Sequence, residues 1–91
     1  MDFLHYQVTV GPDELVEVTL SHAANVQLMD DTNFQNYKNQ SPFRYYGGYV
    51  KKSPYRIKPP HPGSWHLVMD LGGAAGRLNA SVSVVREPQP A

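Results

Sequence analysis

Apolar and polar residues alternate through the segment Leu15–Met29. The first half, 15–20, reads L-V-E-V-T-L, and after a short polar interruption the second half, 24–29, reads A-N-V-Q-L-M. A repeat of two residues is typical of a strand with one buried face, because successive side chains leave opposite faces of the pleat. Two such runs joined by a few turn-prone residues predict an antiparallel hairpin against which the other strands pack.

The same alternation predicts further strands on both sides of this segment. Ser64–Leu71 has apolar residues on both faces, which indicates a central strand that is partly covered on each side. Phe34 and Tyr37 are spaced for one short helical turn over 32–38, with both rings towards the core. Glycine and proline clusters mark the turns, and the loop Gly72–Gly76 predicts a hairpin between the last two long strands. The other predicted strands are Phe3–Val10, the glycine-interrupted Arg44–Lys52, Tyr55–Ile57 and Leu78–Val84.

About seven short strands without a long helix predict an all-β protein, an antiparallel β-sandwich, with a barrel as the second choice. The 91 residues suffice for a single domain, which we place at 1–86, followed by a flexible tail at 87–91. The apolar fraction of 41% indicates a globular core rather than a disordered chain.

The composition also excludes several kinds of chemistry. The chain has no cysteine, which rules out disulfides, thiol nucleophiles and zinc sites built from thiolates. The N-terminus lacks the features of a signal peptide, and no apolar run has transmembrane length. We therefore expect a cytoplasmic protein without a membrane partner.

The net charge is zero, but the two signs are segregated along the chain. Six acidic residues precede Lys38, and the interval 38–58 then contains six basic residues and no acid. Such asymmetry is typical of a basic patch for an anionic partner. The alternative is that the acidic and basic segments become neighbours in the fold and neutralise each other.

The densest candidate for a binding site is the aromatic and cationic stretch in the middle of the chain. Aromatic faces stack on bases or sugars, arginine binds phosphates or carboxylates, and glycine lets a ligand approach the backbone. The alternative is that the tyrosines bury their rings in the core and keep only their hydroxyls at the rim. The candidate ligand- or partner-binding residues are Arg44, Tyr45, Tyr46, Gly47, Gly48 and Tyr49.

Three other groups of residues are weaker candidates. Asp30–Asn33 has oxygen ligands suited to calcium, but its spacing also predicts a turn and a helix cap. The four histidines could bind zinc only if they converged, and nothing in their spacing requires convergence. The glycines of Asp70–Gly76 precede a strand rather than a helix, so they favour a turn over a phosphate loop. We therefore expect no catalytic residues, no metal and no cofactor.

Several segments resemble a small bacterial family of domains of unknown function. They are F-L-H-Y, V-E-V-T-L, A-N-V-Q-L-M-D-D-T-N-F, Y-Y-G-G, W-H-L-V-M-D-L-G-G and G-R-L-N-A-S-V. The resemblance covers nearly the whole chain, residues 3–85. Members look like stand-alone proteins of this size or N-terminal modules fused to TIR domains. The resemblance implies a β-sandwich and an accessory or sensing role, and it transfers no catalytic residue.

Three functions stay open from the sequence alone. The first is a non-enzymatic binding module for a protein partner, which uses the central tyrosines and Arg44. The second is a small-molecule or glycan binder that combines the same aromatic residues with Asp30 or Asp31. The third, a small enzyme, would need a pocket with a histidine and a carboxylate. Nucleic acid is disfavoured because the domain is not basic and matches no recognition motif, whereas a homodimer through sheet edges is plausible.

Overall fold

The computed structural model describes residues 3–72 and 76–87. This part of the chain forms seven strands and one helix. In chain order they are β1 (Leu4–Val10), β2 (Glu14–Leu20), β3 (Ala24–Met29), α1 (Asp31–Lys38), β4 (Tyr46–Val50), β5 (Tyr55–Ile57), β6 (Gly63–Asp70) and β7 (Ala80–Arg86).

The strands form two antiparallel sheets that pack face to face. One sheet has four strands in the order β1-β6-β3-β4, and the other has three in the order β5-β2-β7. The predicted all-β sandwich of about seven strands is therefore confirmed. The helix α1, predicted as a short turn over 32–38, is also present.

The predicted hairpin at Leu15–Met29 is wrong, because its two strands lie in different sheets. β2 pairs with β5 and β7, whereas β3 pairs with β4 and β6. The connecting residues carry the chain across the sandwich, and Ser21 is held there by a hydrogen bond from its backbone N–H to the carbonyl of Asn79 at 2.9 Å. Alternation shows that each strand buries one face, but it does not show which strand lies beside it.

The connection between β6 and β7 corrects a second prediction for the same reason. These strands also belong to opposite sheets, so the loop Gly72–Gly76 does not close a hairpin. Residues 73–75 of that loop lie outside the described residues, as do 88–91 of the predicted tail. Glu87 at the start of the tail donates its backbone N–H to the carbonyl of Asp13 at 2.7 Å.

The core lies between the sheets, and its buried residues are inward-facing side chains of β1, β2, β3, β4 and β6. Trp65 is buried at its centre, and its indole N–H donates to the carbonyl of His61 at 3.1 Å. The fully buried side chains of this layer include Val10, Val16, Val18, Val26, Leu28, Leu67 and Met69. Each such side chain contributes about 1.5–3 kcal/mol of hydrophobic stabilisation relative to exposure.

A smaller apolar layer covers the outer face of the four-stranded sheet. Phe34 of α1 packs there on Met29 and Val68, and Tyr37 and Phe43 border the cluster. β6 is therefore covered on both faces, as its sequence predicted, and its residues from Trp65 to Asp70 are all buried. This layer positions α1 and the segment that leads from it into β4.

Candidate functional site

The predicted binding stretch lies at one edge of the four-stranded sheet. β4 is the last strand of that sheet and pairs only with β3 among the described strands. Tyr45, Tyr46 and Tyr49 are 45%, 50% and 61% exposed. The three tyrosines therefore lie at the surface, and the alternative that they fill the core is wrong.

The tyrosines do not share one face of the strand. Tyr46 lies opposite Leu28 of β3, on the inward-facing side, and meets Trp65 edge-on with ring centroids 6.1 Å apart. Tyr49 lies opposite Asn25, on the outer side. Tyr45 precedes the strand and packs on Phe43, with ring centroids 5.8 Å apart. The arrangement surrounds the sheet edge with rings rather than forming one flat platform.

The two glycines between these tyrosines have different backbone requirements. Gly47 has a φ of +124°, and a Cβ added there would lie 2.2 Å from the carbonyl oxygen of Val26. Gly48 has an ordinary φ, and a Cβ added there would meet nothing within 4 Å. Only Gly47 is therefore needed for the close approach of β4 to β3.

Cations flank β4 at both ends. Arg44 precedes it, and its backbone N–H donates to Oδ1 of Asn33 at 2.7 Å, while Lys51 and Lys52 follow it. The side chains of these three residues are exposed, and within the described residues none has a carboxylate within 4.0 Å. The β4 strand is thus bounded by positive charge.

The segregated charges neutralise each other only in part. Nε of Arg56 lies 2.8 Å from Oε2 of Glu17 on the neighbouring strand, and Lys58 pairs with Glu87. Both pairs lie on or beside the three-stranded sheet. Because they are exposed, each contributes about 0–1 kcal/mol to the free energy of unfolding. They leave Arg44, Lys51 and Lys52 with no carboxylate within 4.0 Å among the residues described.

The acidic stretch Asp30–Asn33 begins the helix. Oδ1 of Asp30 accepts from the backbone N–H and from the side-chain amide of Asn33, both at 2.8 Å. This is the predicted cap, and it satisfies one of the open N–H groups of the first turn. Within 3–72 and 76–87, the structure contains no group of three or more histidine and carboxylate side chains arranged to hold a metal ion.

Two histidines meet on the outer face beneath α1, which the sequence did not reveal. Nε2 of His5 lies 2.8 Å from Nδ1 of His66, and Nε2 of His66 lies 3.2 Å from Oδ1 of Asp31. Phe34 stacks on both imidazoles, with centroids 4.1 Å from His5 and 4.3 Å from His66. A proton on Nε2 of each neutral histidine satisfies the whole chain, since His5 then donates to His66 and His66 donates to Asp31.

This environment alters the ionisation of His5. Burial against α1 lowers the pKa of His5 below its usual 6.5, and positive charge on His66 and Lys38 lowers it further. Lys38 belongs to the same cluster, since its ammonium lies 5.0 Å from the centre of the Phe34 ring. These surroundings favour the neutral form of His5, and the stacking of Phe34 on both imidazoles fastens α1 to the sheet.

The buried carboxylate of Asp70 is also satisfied internally. Its Oδ1 accepts from Nδ2 of Asn25 at 2.9 Å and from the backbone N–H of Gly72 at 2.7 Å. Burial and the nearby charge of Asp70 raise the pKa of the Tyr37 phenol above its usual 10.0. These bonds fix the end of β6 and explain why the sequence places an acid on a buried strand.

A shallow cleft lies away from these residues, between the β1–β2 turn and the proline segment. It is lined by Gly11, Glu14, Lys58 and the chain from Pro59 to Pro62. Its two charged groups are engaged, because Glu14 accepts from the N–H of Gly11 at 2.8 Å and Lys58 pairs with Glu87. The cleft therefore offers few open polar groups to a ligand.

No helix in the described part of the chain has the length and hydropathy needed to cross a membrane.

Comparisons with known proteins place the chain in a family. Neither a curated protein nor a solved structure matches the chain. The family model for DUF1883, a domain of unknown function, matches residues 1–88. The protein with this two-sheet fold and aromatic edge strand therefore belongs to the DUF1883 family.

Proposed function

We propose that this chain is a non-enzymatic interaction module whose protein partner contacts β4 and the residues directly before it. We call this region the β4 surface, and it consists of Arg44, Tyr45, Tyr46, Gly47, Gly48 and Tyr49. The observation that carries the proposal is the exposure of three neighbouring tyrosines, at 45–61%, on an edge strand.

Exposed aromatic residues of this kind are suited to protein contacts. Tyrosine and arginine are enriched where partners bury surface, and tyrosine provides a large rigid area with few rotatable bonds. Tyr49 supports the proposal most directly, because it is the most exposed of the three and packs on no other ring among the described residues. Its burial by a partner would remove apolar area from water without disturbing the core.

The geometry favours a protein over a sugar or another small ligand. A stacked sugar needs rings that share a plane, whereas Tyr46 and Tyr49 lie on opposite sides of β4. The small-ligand hypothesis requires Asp30 or Asp31 as a polar partner, but Asp30 caps α1 and Oδ1 of Asp31 lies 3.2 Å from Nε2 of His66. A polypeptide can wrap around a sheet edge and contact both sides, so the protein partner is the stronger proposal.

The proposed setting is the cytoplasm, in an accessory or sensing role. A chain without cysteine gains nothing from an oxidising compartment, which supports this location. The resemblance to modules that precede TIR domains supports the accessory role, since such a module would recruit or sense a partner for its neighbour.

Site-specific photocrosslinking in cells tests the proposal. A photoreactive phenylalanine analogue at position 49 should trap a discrete partner, whereas the same analogue at Ser83, exposed on the opposite sheet, should not trap it. The trapped protein is then purified and titrated with the wild-type chain and with the double variant Tyr45→Ser/Tyr49→Ser.

The double variant should bind the purified partner at least about 10-fold more weakly, as loss of interface aromatic anchors does. Tyr46 is left in place because of its contact with Trp65. A thermal melt within about 4 °C of wild type, equivalent to roughly 1 kcal/mol or less, shows that the variant is folded. Equal trapping from positions 49 and 83, or unchanged affinity of the folded variant, would refute the proposal.

A further inference from the structure

The outer edge of β4 is open along its whole length. On one side the strand bonds to β3, and on the other no turn, loop or side chain of the described residues bonds to the backbone of Tyr46–Val50. In an antiparallel ladder alternate residues direct their N–H and C=O groups to opposite sides. β4 therefore presents an unpaired row of donors and acceptors, which can template another strand.

The other sheet edges are less accessible than β4. β1 and β7 are edge strands of opposite sheets and lie beside each other, where the hydroxyl of Tyr6 donates to the carbonyl of Ala80 at 3.5 Å. β5 has only three residues and lies between Pro54 and Pro59, which cannot donate to a ladder. β4 combines an open backbone with exposed rings on both sides, and it is the edge best suited to pairing.

The charges around β4 indicate the chemistry of the added strand. Arg44 lies before the strand and Lys51 and Lys52 lie after it, with no carboxylate within 4.0 Å among the described residues. An added strand as long as β4 would bring its own side chains near these cations at both ends. Carboxylates at those positions would form complementary pairs and would guide association.

The same charges disfavour a second copy of this chain at the edge. In an antiparallel pair of β4 strands, Arg44 of one copy would approach Lys51 and Lys52 of the other. In a parallel pair each cation would approach its own counterpart. Both arrangements place like charges together, which is destabilising across a strand pair. Self-association through β4 is thus opposed, whereas an acidic segment is attracted.

We infer that β4 binds an extended, acidic segment of a partner protein by strand addition, with Arg44, Lys51 and Lys52 recognising its carboxylates. This inference rests on the proposed function and specifies its mode of recognition. Backbone hydrogen bonds would supply register, and the tyrosines would cover the added strand from both sides.

A peptide of alternating valine and glutamate, about eight residues long so that it spans β4, is a direct probe. It is titrated into the isotopically labelled protein up to millimolar concentration while amide resonances are recorded. We expect shifts concentrated in Tyr46–Val50, and slower hydrogen exchange at alternate amides of that strand. Absence of shifts in β4, or equal shifts with a valine and lysine peptide, would overturn the inference.

Two N-methylated peptides separate strand addition from simple charge attraction. One carries the methyl groups on its valine nitrogens and the other on its glutamate nitrogens, so both keep the charge. Because only one set of alternate N–H groups faces β4, one peptide should lose at least about 10-fold in affinity and the other should bind nearly as the parent does. If both bind as the parent does, the contact is electrostatic only and the inference is refuted.

A pair of charge variants tests the role of the lysines. Lys51→Glu/Lys52→Glu should weaken binding of the acidic peptide at least about 10-fold. The control Arg77→Glu/Arg86→Glu has the same net charge but alters exposed cations elsewhere, and it should bind within about twofold of wild type. Equal losses in the two variants would contradict local recognition.

Other results identify a different occupant. Tighter binding of an oligothymidine with the same dependence on Lys51 and Lys52 would assign the surface to nucleic acid and overturn the inference. Light scattering that shows a dimer dissociated by the peptide would assign the edge to self-association, again overturning it. If the peptide does not bind to β4 while crosslinking from position 49 traps a partner, strand addition is wrong but the proposed function stands. If crosslinking fails as well, both are wrong.

Discussion

The two neighbouring glycines of β4 should respond oppositely to the same small change. Gly47 has a φ of +124°, and an added Cβ would lie 2.2 Å from the carbonyl oxygen of Val26. Gly48 has an ordinary φ and open space around the position of a Cβ. We therefore expect Gly47→Ala to be destabilising and Gly48→Ala to be neutral or stabilising.

The magnitudes follow from the backbone and the contact. A strained positive φ costs about 1–3 kcal/mol for a residue with a Cβ, and relief of the 2.2 Å approach requires β4 to move away from β3. We expect a loss of at least about 2 kcal/mol for Gly47→Ala. Gly48→Ala should gain about 0.4–1 kcal/mol, because alanine restricts the unfolded chain. For a domain of this size, the first change should lower the melting temperature by at least about 8 °C.

Urea unfolding monitored by Trp65 fluorescence, with a thermal melt as a second probe, measures both variants against wild type. Equal slopes against urea would show that the changes act on stability and not on the compactness of either state. The reasoning is refuted if Gly47→Ala is as stable as wild type, or if the two variants lose the same amount. Either result would mean that β4 does not approach Val26 as described.

Three further predictions concern the outer face beneath α1. Acidification from about pH 7.5 to 5.5 should lower the free energy of unfolding, because the pKa of His5 is lowered in the folded state and the unfolded chain takes up a proton more readily. The urea midpoint should therefore fall less steeply across this range in His5→Phe than in wild type. Asp30→Ala should lower the free energy of unfolding by about 0.5–2 kcal/mol, because it removes the cap of α1. The control Thr32→Ala in the exposed first turn should change the urea midpoint little, and equal losses of stability in the two variants would contradict the role of the cap. Phe34→Leu should cost about 1 kcal/mol, because leucine keeps apolar contact but loses stacking worth about 0.5–1.5 kcal/mol on the imidazoles; an unchanged urea midpoint would show that the stack contributes nothing.

The strands and their buried faces could be predicted from the sequence, because burial acts on each residue through local alternation. Val16 and Val18 point inward as expected, and β6 is covered on both faces. Strand pairing could not be predicted in the same way. β2 and β3 have the same pattern whether they pair with each other or face each other across the core, so the hairpin prediction failed.

Strand pairing also determines two surface features that the sequence did not reveal, the contact between two histidines and the exposure of the tyrosines. His5 and His66 are far apart in the sequence, and only the β1–β6 pairing and the position of α1 bring Nε2 of His5 and Nδ1 of His66 to 2.8 Å from each other. The exposure of Tyr45 and Tyr49 likewise depends on β4 being an edge strand, which composition alone does not indicate. The N-cap at Asp30, in contrast, is a local interaction and was predictable.

The interleaving of the two sheets has a consequence for biosynthesis. The four-stranded sheet joins β1 to β6, and the hydrogen bond between His5 and His66 therefore links residues 61 positions apart. The other sheet joins β2 to β7. Neither sheet is encoded by a contiguous part of the gene. A nascent chain on the ribosome can complete the four-stranded sheet only after β6 has emerged, and the three-stranded sheet that covers the core only after β7 has emerged. The module should therefore become protease-resistant only after β7 leaves the exit tunnel, and a domain placed after it would give β7 the length of chain needed to emerge.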